Sequence, residues 1–155
     1  MTREDAYRIA IEAEIRSQKL YRALGKSFKN EDTAQFFDQL VKYEEYHEEK
    51  MRELFTKEFP GKKLELSEEP DVEMRGLKLD DPKALLEFAI SREELAKNIY
   101  LNMAEQSADS STRGLLLRFA DEELNHKEML FAEIEKLHGI LQWFDPSELD
   151  GFMEY

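Results

Sequence analysis

The sequence predicts an all-α protein, a four-helix bundle made of two helical hairpins joined by a long crossover. Three observations predict it. Apolar residues recur at helical spacing in four long stretches, and cap-forming residues stand near the starts of those stretches. Three of the four prolines, with two glycines, fall in one region, about 59–82, that lacks a long period.

The first helix spans about 3–29, with Ala6, Ile9, Ala10, Ala13, Leu20 and Leu24 in helical rhythm. Thr2 is its N-cap and Asp5 stands at the capping-box position. The second, about 32–58, carries Ala34, Phe37, Leu40, Val41, Met51, Leu54 and Phe55. The connection around Lys29–Asp32 is short enough to force an antiparallel pair. A crossover, about 59–81, must then travel the bundle's length of about 40 Å, which some 24 residues cover with slack at about 3.3 Å each. Asp81-Pro82 opens a third helix, about 82–108, as N-cap and N1 proline. After the turn "SADSST" a fourth helix runs over about 112–138, with Gly139 as the residue expected to end it. The tail, 140–155, can form a short helix after Pro146 or lay Trp143 and Phe144 on the bundle.

At 155 residues the whole chain, 1–155, is read as one domain. Against 35 Asp and Glu there are 22 Lys and Arg, a formal net charge of −13. Such a field repels nucleic acid and anionic membranes, so neither is an expected partner, and it attracts metal cations. The absence of cysteine excludes disulfides, thiolate zinc sites and Cys-ligated iron–sulfur clusters. The N-terminal "MTREDAYRIAIEAE" has no apolar core of signal-peptide length, and no run is fit to span a bilayer. The expectation is a soluble, cytoplasmic protein.

The stretch "KYEEYHEEK" contains Glu44-x-x-His47, a spacing that puts both side chains on one helix face. Alone, such a pair is better read as charged helix surface, because acidic residues are so common here. The pattern recurs 79 residues later as Glu123-x-x-His126, and the shift carries Glu14 onto Glu93 and Tyr21 onto Tyr100. Thr2 maps onto Asp81 and Thr33 onto Thr112, while Ile11/Ile90, Leu20/Ile99, Leu40/Phe119 and Met51/Leu130 stay apolar. Each half is thus a hairpin bearing Glu-x6-Tyr and then Glu-x-x-His.

Because scarce residue types recur in register with the glutamates, a shared site outweighs coincidence. Glu14 lies 16 residues before Asn30 and Glu44 lies 14 after it, so their levels in a hairpin differ by only about 3 Å. Two hairpins about a pseudo-twofold bring four Glu and two His to mid-bundle. Buried carboxylates cost several kcal/mol each unless compensated, and two divalent cations would neutralise four. Carboxylate with imidazole suits iron or manganese. Tyr21 and Tyr100 lie two turns from Glu14 and Glu93 on the same stripe, placed to donate to a carboxylate of the other hairpin. Glu12, Glu45, Glu48, Glu94 and Glu122 are read as surface charge, and His138 as a cation near a helix end. Phe37, Met51, Phe55, Phe119 and Met129 are read as core.

This duplicated pattern resembles the ferritin-like di-iron carboxylate proteins, and in order and size the rubrerythrin group, over roughly residues 3–138. The resemblance implies a ferritin-like four-helix bundle with two iron ions, or alternatively manganese or a mixed pair. Its ligands would be Glu14, Glu44, His47, Glu93, Glu123 and His126, with Glu44 and Glu123 bridging and Glu14 and Glu93 terminal. Two departures stand out. The further Glu that rubrerythrins carry three residues after the third-helix ligand is Ala96 here, and the four-cysteine rubredoxin module is missing.

The implied function is a di-iron oxidoreductase that reduces hydrogen peroxide or dioxygen, with Tyr21 and Tyr100 as proton or hydrogen-bond donors. Its electrons would come from a separate donor protein such as a rubredoxin. A ferritin-like ferroxidase or iron store is one alternative, and it requires a large hollow assembly. A dimanganese catalase-like site is another, needing no external electrons. A bundle that binds metal only for stability, or an interaction module, is the plainest. The long crossover permits exchange of hairpins between subunits, so a homodimer is expected.

Overall fold

The computed structural model describes residues 1–67 and 82–141, and among them it contains four α-helices and no strand. They are α1 (Arg3–Ser27), α2 (Glu31–Glu58), α3 (Pro82–Glu105) and α4 (Ser110–Leu141). The crossover beyond residue 67, with Pro70, Gly76 and Asp81, lies outside the described residues. So do the tail from residue 142, with Trp143, Phe144 and Pro146, and the side chain of His138.

The caps follow from local chemistry. Thr2 and Asp5 form a reciprocal capping box, each side chain accepting from the other's backbone N–H, at 3.1 and 3.0 Å. Asn30 Oδ1 accepts from the N–H groups of Asp32 and Thr33 at the start of α2. Asp109 does the same for α4, taking both the N–H and the hydroxyl of Thr112. Helix α4 therefore starts at Ser110, before the expected Thr112, which is the residue the cap holds. At the end of α2, Phe59 donates back to the Phe55 carbonyl, and Gly61 follows at φ 82°, a left-handed conformation that favours glycine.

Three helix ends differ from expectation. Helix α1 stops at Ser27, because Phe28 turns extended and stacks on Phe37 at 5.8 Å. Helix α3 stops at Glu105, where Ser107 N–H closes a tight turn on the Ala104 carbonyl. Helix α4 runs through Gly139 to Leu141. A helical glycine costs only about 1 kcal/mol, too little to end a long helix when no proline comes before Pro146.

The hairpins α1–α2 and α3–α4 are each closely packed, and between them α1 meets α3 far more closely than α2 meets α4. Helices α1 and α3 run antiparallel, as the pairs Tyr21–Glu93 and Tyr100–Glu14 show. Apolar side chains gather in two clusters. One holds Tyr7, Ile11, Met51, Phe55, Met103, Leu116 and Phe119, and the other Leu20, Leu24, Phe37, Leu40, Leu85, Leu86 and Leu130. Met129 is not core: it is only half-buried, and the helix turns Leu130 inward instead. Leu64 and Leu66 pack on the first cluster, and Ser67 N–H reaches Glu12 at 2.5 Å, so the crossover begins by returning along α1. Among the described residues no helix is long and apolar enough to cross a membrane.

Candidate metal centre

The bundle's middle is polar and dry. Glu14 comes from α1, Glu44 and His47 from α2, Glu93 from α3, and Glu123 and His126 from α4, and none is more than 2% exposed. The Glu-x-x-His spacing works because three residues advance the chain by about one helical turn, so both side chains face the axis. They form two overlapping groups whose nearest donor atoms lie within 4.8 Å of one another: Glu14, Glu44, His47 and Glu123, and Glu44, Glu93, Glu123 and His126. Glu44 and Glu123 belong to both. His47 Nδ1 is 2.7 Å from Glu123 and 3.6 Å from Glu44, while His126 Nδ1 is 3.1 Å from Glu44 and 3.8 Å from Glu123.

Tyr21 donates its hydroxyl hydrogen to Glu93, and Tyr100 donates to Glu14. Each hairpin's tyrosine therefore holds the other hairpin's glutamate. Both phenols are pushed well above their ordinary pKa, first by burial and then by the carboxylate charges beside them. They stay protonated and act as donors.

The electrostatics show how uncomfortable four such carboxylates are without a cation. Burial, then the negative charge of neighbouring glutamates, raises Glu14, Glu93 and Glu123 well above the usual carboxylate range. Glu44 goes the other way. Burial would raise it, but the neighbouring Glu14 carboxyl, the hydrogen bond from His126 and the His47 ring beside it bring it well below. Burial likewise opposes charge on both imidazoles, yet the surrounding carboxylates outweigh it and raise His47 and His126.

Three buried oxygens, Oε2 of Glu14, Glu44 and Glu93, have no hydrogen-bond partner. Orphaned acceptors are rare in protein interiors, and a cation satisfies acceptors where no donor is available. Four carboxylates and two imidazole nitrogens make an oxygen-rich set with charge to match two divalent ions. The residues fit a pair of metals.

Several surroundings differ from the sequence reading. Glu122, read as surface charge, sits on His47 with Oε2 2.5 Å from Nε2. It follows from rotation: a residue next to a ligand is turned about 100° from it, which here carries its carboxylate behind the ring on α2. Glu12 is buried, pairing with Arg8 and accepting from Ser67, because the returning crossover covers it. Glu48 is also partly covered, accepting from Gln18 at 2.7 Å and Arg52 at 2.8 Å. Glu45 and Glu94 lie at the surface, paired with Arg22 and with Lys97 and Lys127. Ala96 is buried and offers no ligand. The repeat does not mark Glu122, because its counterpart 79 residues earlier is Tyr43, which in the fold lies against the other site histidine, His126, at 5.0 Å between rings.

A crossover bundle with carboxylates from all four helices and a Glu-x-x-His from two of them defines a ferritin-like, di-metal carboxylate class of protein. The family comparison agrees and narrows it. The rubrerythrin family model matches residues 5–76 and 84–150, and the chain belongs to that family. Among solved structures, a hypothetical protein from Pyrococcus furiosus matches at 29% identity and a TM-score of 0.79, over 94% of each chain. No curated protein matches the sequence.

Proposed function

We propose that this protein is a di-iron oxidoreductase that reduces hydrogen peroxide or dioxygen with electrons from a separate donor protein. The observation that carries the proposal is the convergence of four buried glutamates and two histidines with three carboxylate oxygens unpartnered. Glu14, Glu44, His47 and Glu123 would hold one ion, and Glu44, Glu93, Glu123 and His126 the other, with Glu44 and Glu123 shared. When bound, two iron ions supply two electrons to an oxidant.

The protein's own part is positional and protonic. Tyr100 Oη holds its proton on Glu14, and Tyr21 Oη holds its proton on Glu93, fixing the carboxylates that belong to one group each. Phe119 stands 4.2 Å from the His47 ring and 5.5 Å from Tyr100, keeping bulk water from that side. In this reading an external protein such as a rubredoxin is the source of electrons.

The test is consumption of hydrogen peroxide by anaerobically iron-loaded protein given a reductant and a rubredoxin. Turnover above that of the same iron free in solution is expected, and turnover no greater than free iron would overturn the proposal. Elemental analysis of the purified protein checks the metal, with two iron ions per chain as the expected content.

A further inference from the structure

The repeat is nearly symmetric at the six residues of the centre, but not immediately behind them. On the outer side of His47, Glu122 Oε2 approaches Nε2 at 2.5 Å, while Nδ1 of the same ring faces the oxygens of Glu123, Glu44 and Glu14. The residue equivalent to Glu122 in the first hairpin is Tyr43. Its ring lies 5.0 Å from that of His126, tilted by 56°, and it carries no carboxylate. Both Glu122 and Tyr43 reach the surface, so this difference lies at the bundle's outer edge and not in its apolar core.

A carboxylate on the outer nitrogen of an imidazole has two effects. It fixes the proton on that nitrogen, leaving the inner nitrogen's lone pair free for a metal, and it makes the ring a better donor. An aromatic ring does neither. We infer that Glu122 is a positioning residue for His47 and makes the two metal positions unequal, so that the His47 position fills first. The inference rests on the di-metal reading of the site and goes beyond it, because the six ligating residues alone give no reason for an order.

The test is an anaerobic cobalt(II) titration followed by visible absorption, with free cobalt set by a competing chelator. The wild-type protein should bind two ions in two steps, the first tighter by about 10–100-fold, the range a supporting contact of this kind carries. Glu93→Ala, which removes a carboxylate from the His126 group alone, should keep the tight step and lose the weak one. Glu122→Leu should weaken the tight step by the same factor and leave the weak step in place, so that the two merge. Glu122→Gln, which keeps an acceptor without the charge, should fall between. Tyr43→Glu should tighten the weak step, approaching the split from the other side in a variant that leaves Glu122 intact.

A merely structural role for Glu122 would shift melting temperature but not one step selectively. Two equal steps in the wild type, or a tight step that survives in Glu122→Leu, would overturn the inference while leaving the metal centre standing. A wild-type protein that binds no cobalt would overturn the metal centre itself, and the inference with it.

Discussion

Replacing Tyr100 by Phe removes a single hydroxyl from a fully buried ring and leaves the packing shape unchanged. What is lost is the donor on Glu14, a carboxylate that belongs only to the His47 group. A buried hydrogen bond to a charged group is worth about 1.5–3 kcal/mol, and each 1.4 kcal/mol corresponds to roughly tenfold in affinity. Metal at that position should therefore bind about 10–100-fold more weakly, matching the range for contacts that orient a ligand. Tyr21→Phe does the same to Glu93 and so weakens the other position. Chelator-competition titration with manganese(II) or cobalt(II) reads both affinities. The melting temperature of the metal-free variants should move by only a few degrees, because the ring still fills its place. If each variant binds metal within about threefold of the wild type, the tyrosines do not support the centre and the reasoning fails.

The remaining predictions concern stability and assembly. In the metal-free protein Glu14, Glu93, Glu123, His47 and His126 all have raised pKa values, so the folded state holds protons that the unfolded chain releases near 4.5 and 6.5. Their contribution is full at acid pH and is lost as pH rises; the carboxylates held below their ordinary range, Glu44 and Glu122 among them, work the other way, but only up to about pH 4.5. The melting temperature of chelator-treated protein should thus fall between about pH 5 and 8, and added metal should restore it most at the upper end. Phe119→Ala empties a fully buried site beside His47 and should cost about 3–5 kcal/mol, read as a lower urea midpoint at unchanged slope. Arg3 ties Glu58 of α2 and the Gln106 carbonyl to the start of α1, but the pair is partly exposed. Arg3→Ala should lower the melting temperature by no more than about 2–4 °C. Sizing chromatography should show a dimer, whereas a large hollow shell would favour iron storage.

Much of this was legible because the informative residues are scarce. Three histidines and six tyrosines leave little room for coincidence, so two of each in register with glutamates 79 apart carried real information. The helices were legible from period, and the start of the first from Thr2 and Asp5, whereas the cap at Asn30 emerged only in the fold. What stayed hidden depends on neighbours brought from far along the chain. Glu12 looks like surface charge until Ser67 arrives over it, and Glu122 until His47 of another helix fills the space behind it. Helix ends were hidden for a different reason. The energies that decide them, such as the glycine at 139 or the stacking of Phe28 on Phe37, are about 1 kcal/mol and depend on packing.

The crossed tyrosine bonds have a consequence for how such a molecule can be built. Neither hairpin holds its own glutamate, so a lone hairpin has no finished half-site to offer. Two copies of one hairpin would complete each other, since all six residues of the centre come from the four helices. Joining the halves in one chain supplies proximity, raising the effective concentration of the second half to the millimolar range typical of short tethers. It also releases the halves from identity. Two copies of one short chain would have to carry the same residue behind both histidines, whereas halves joined in one chain can carry Glu122 behind one and Tyr43 behind the other.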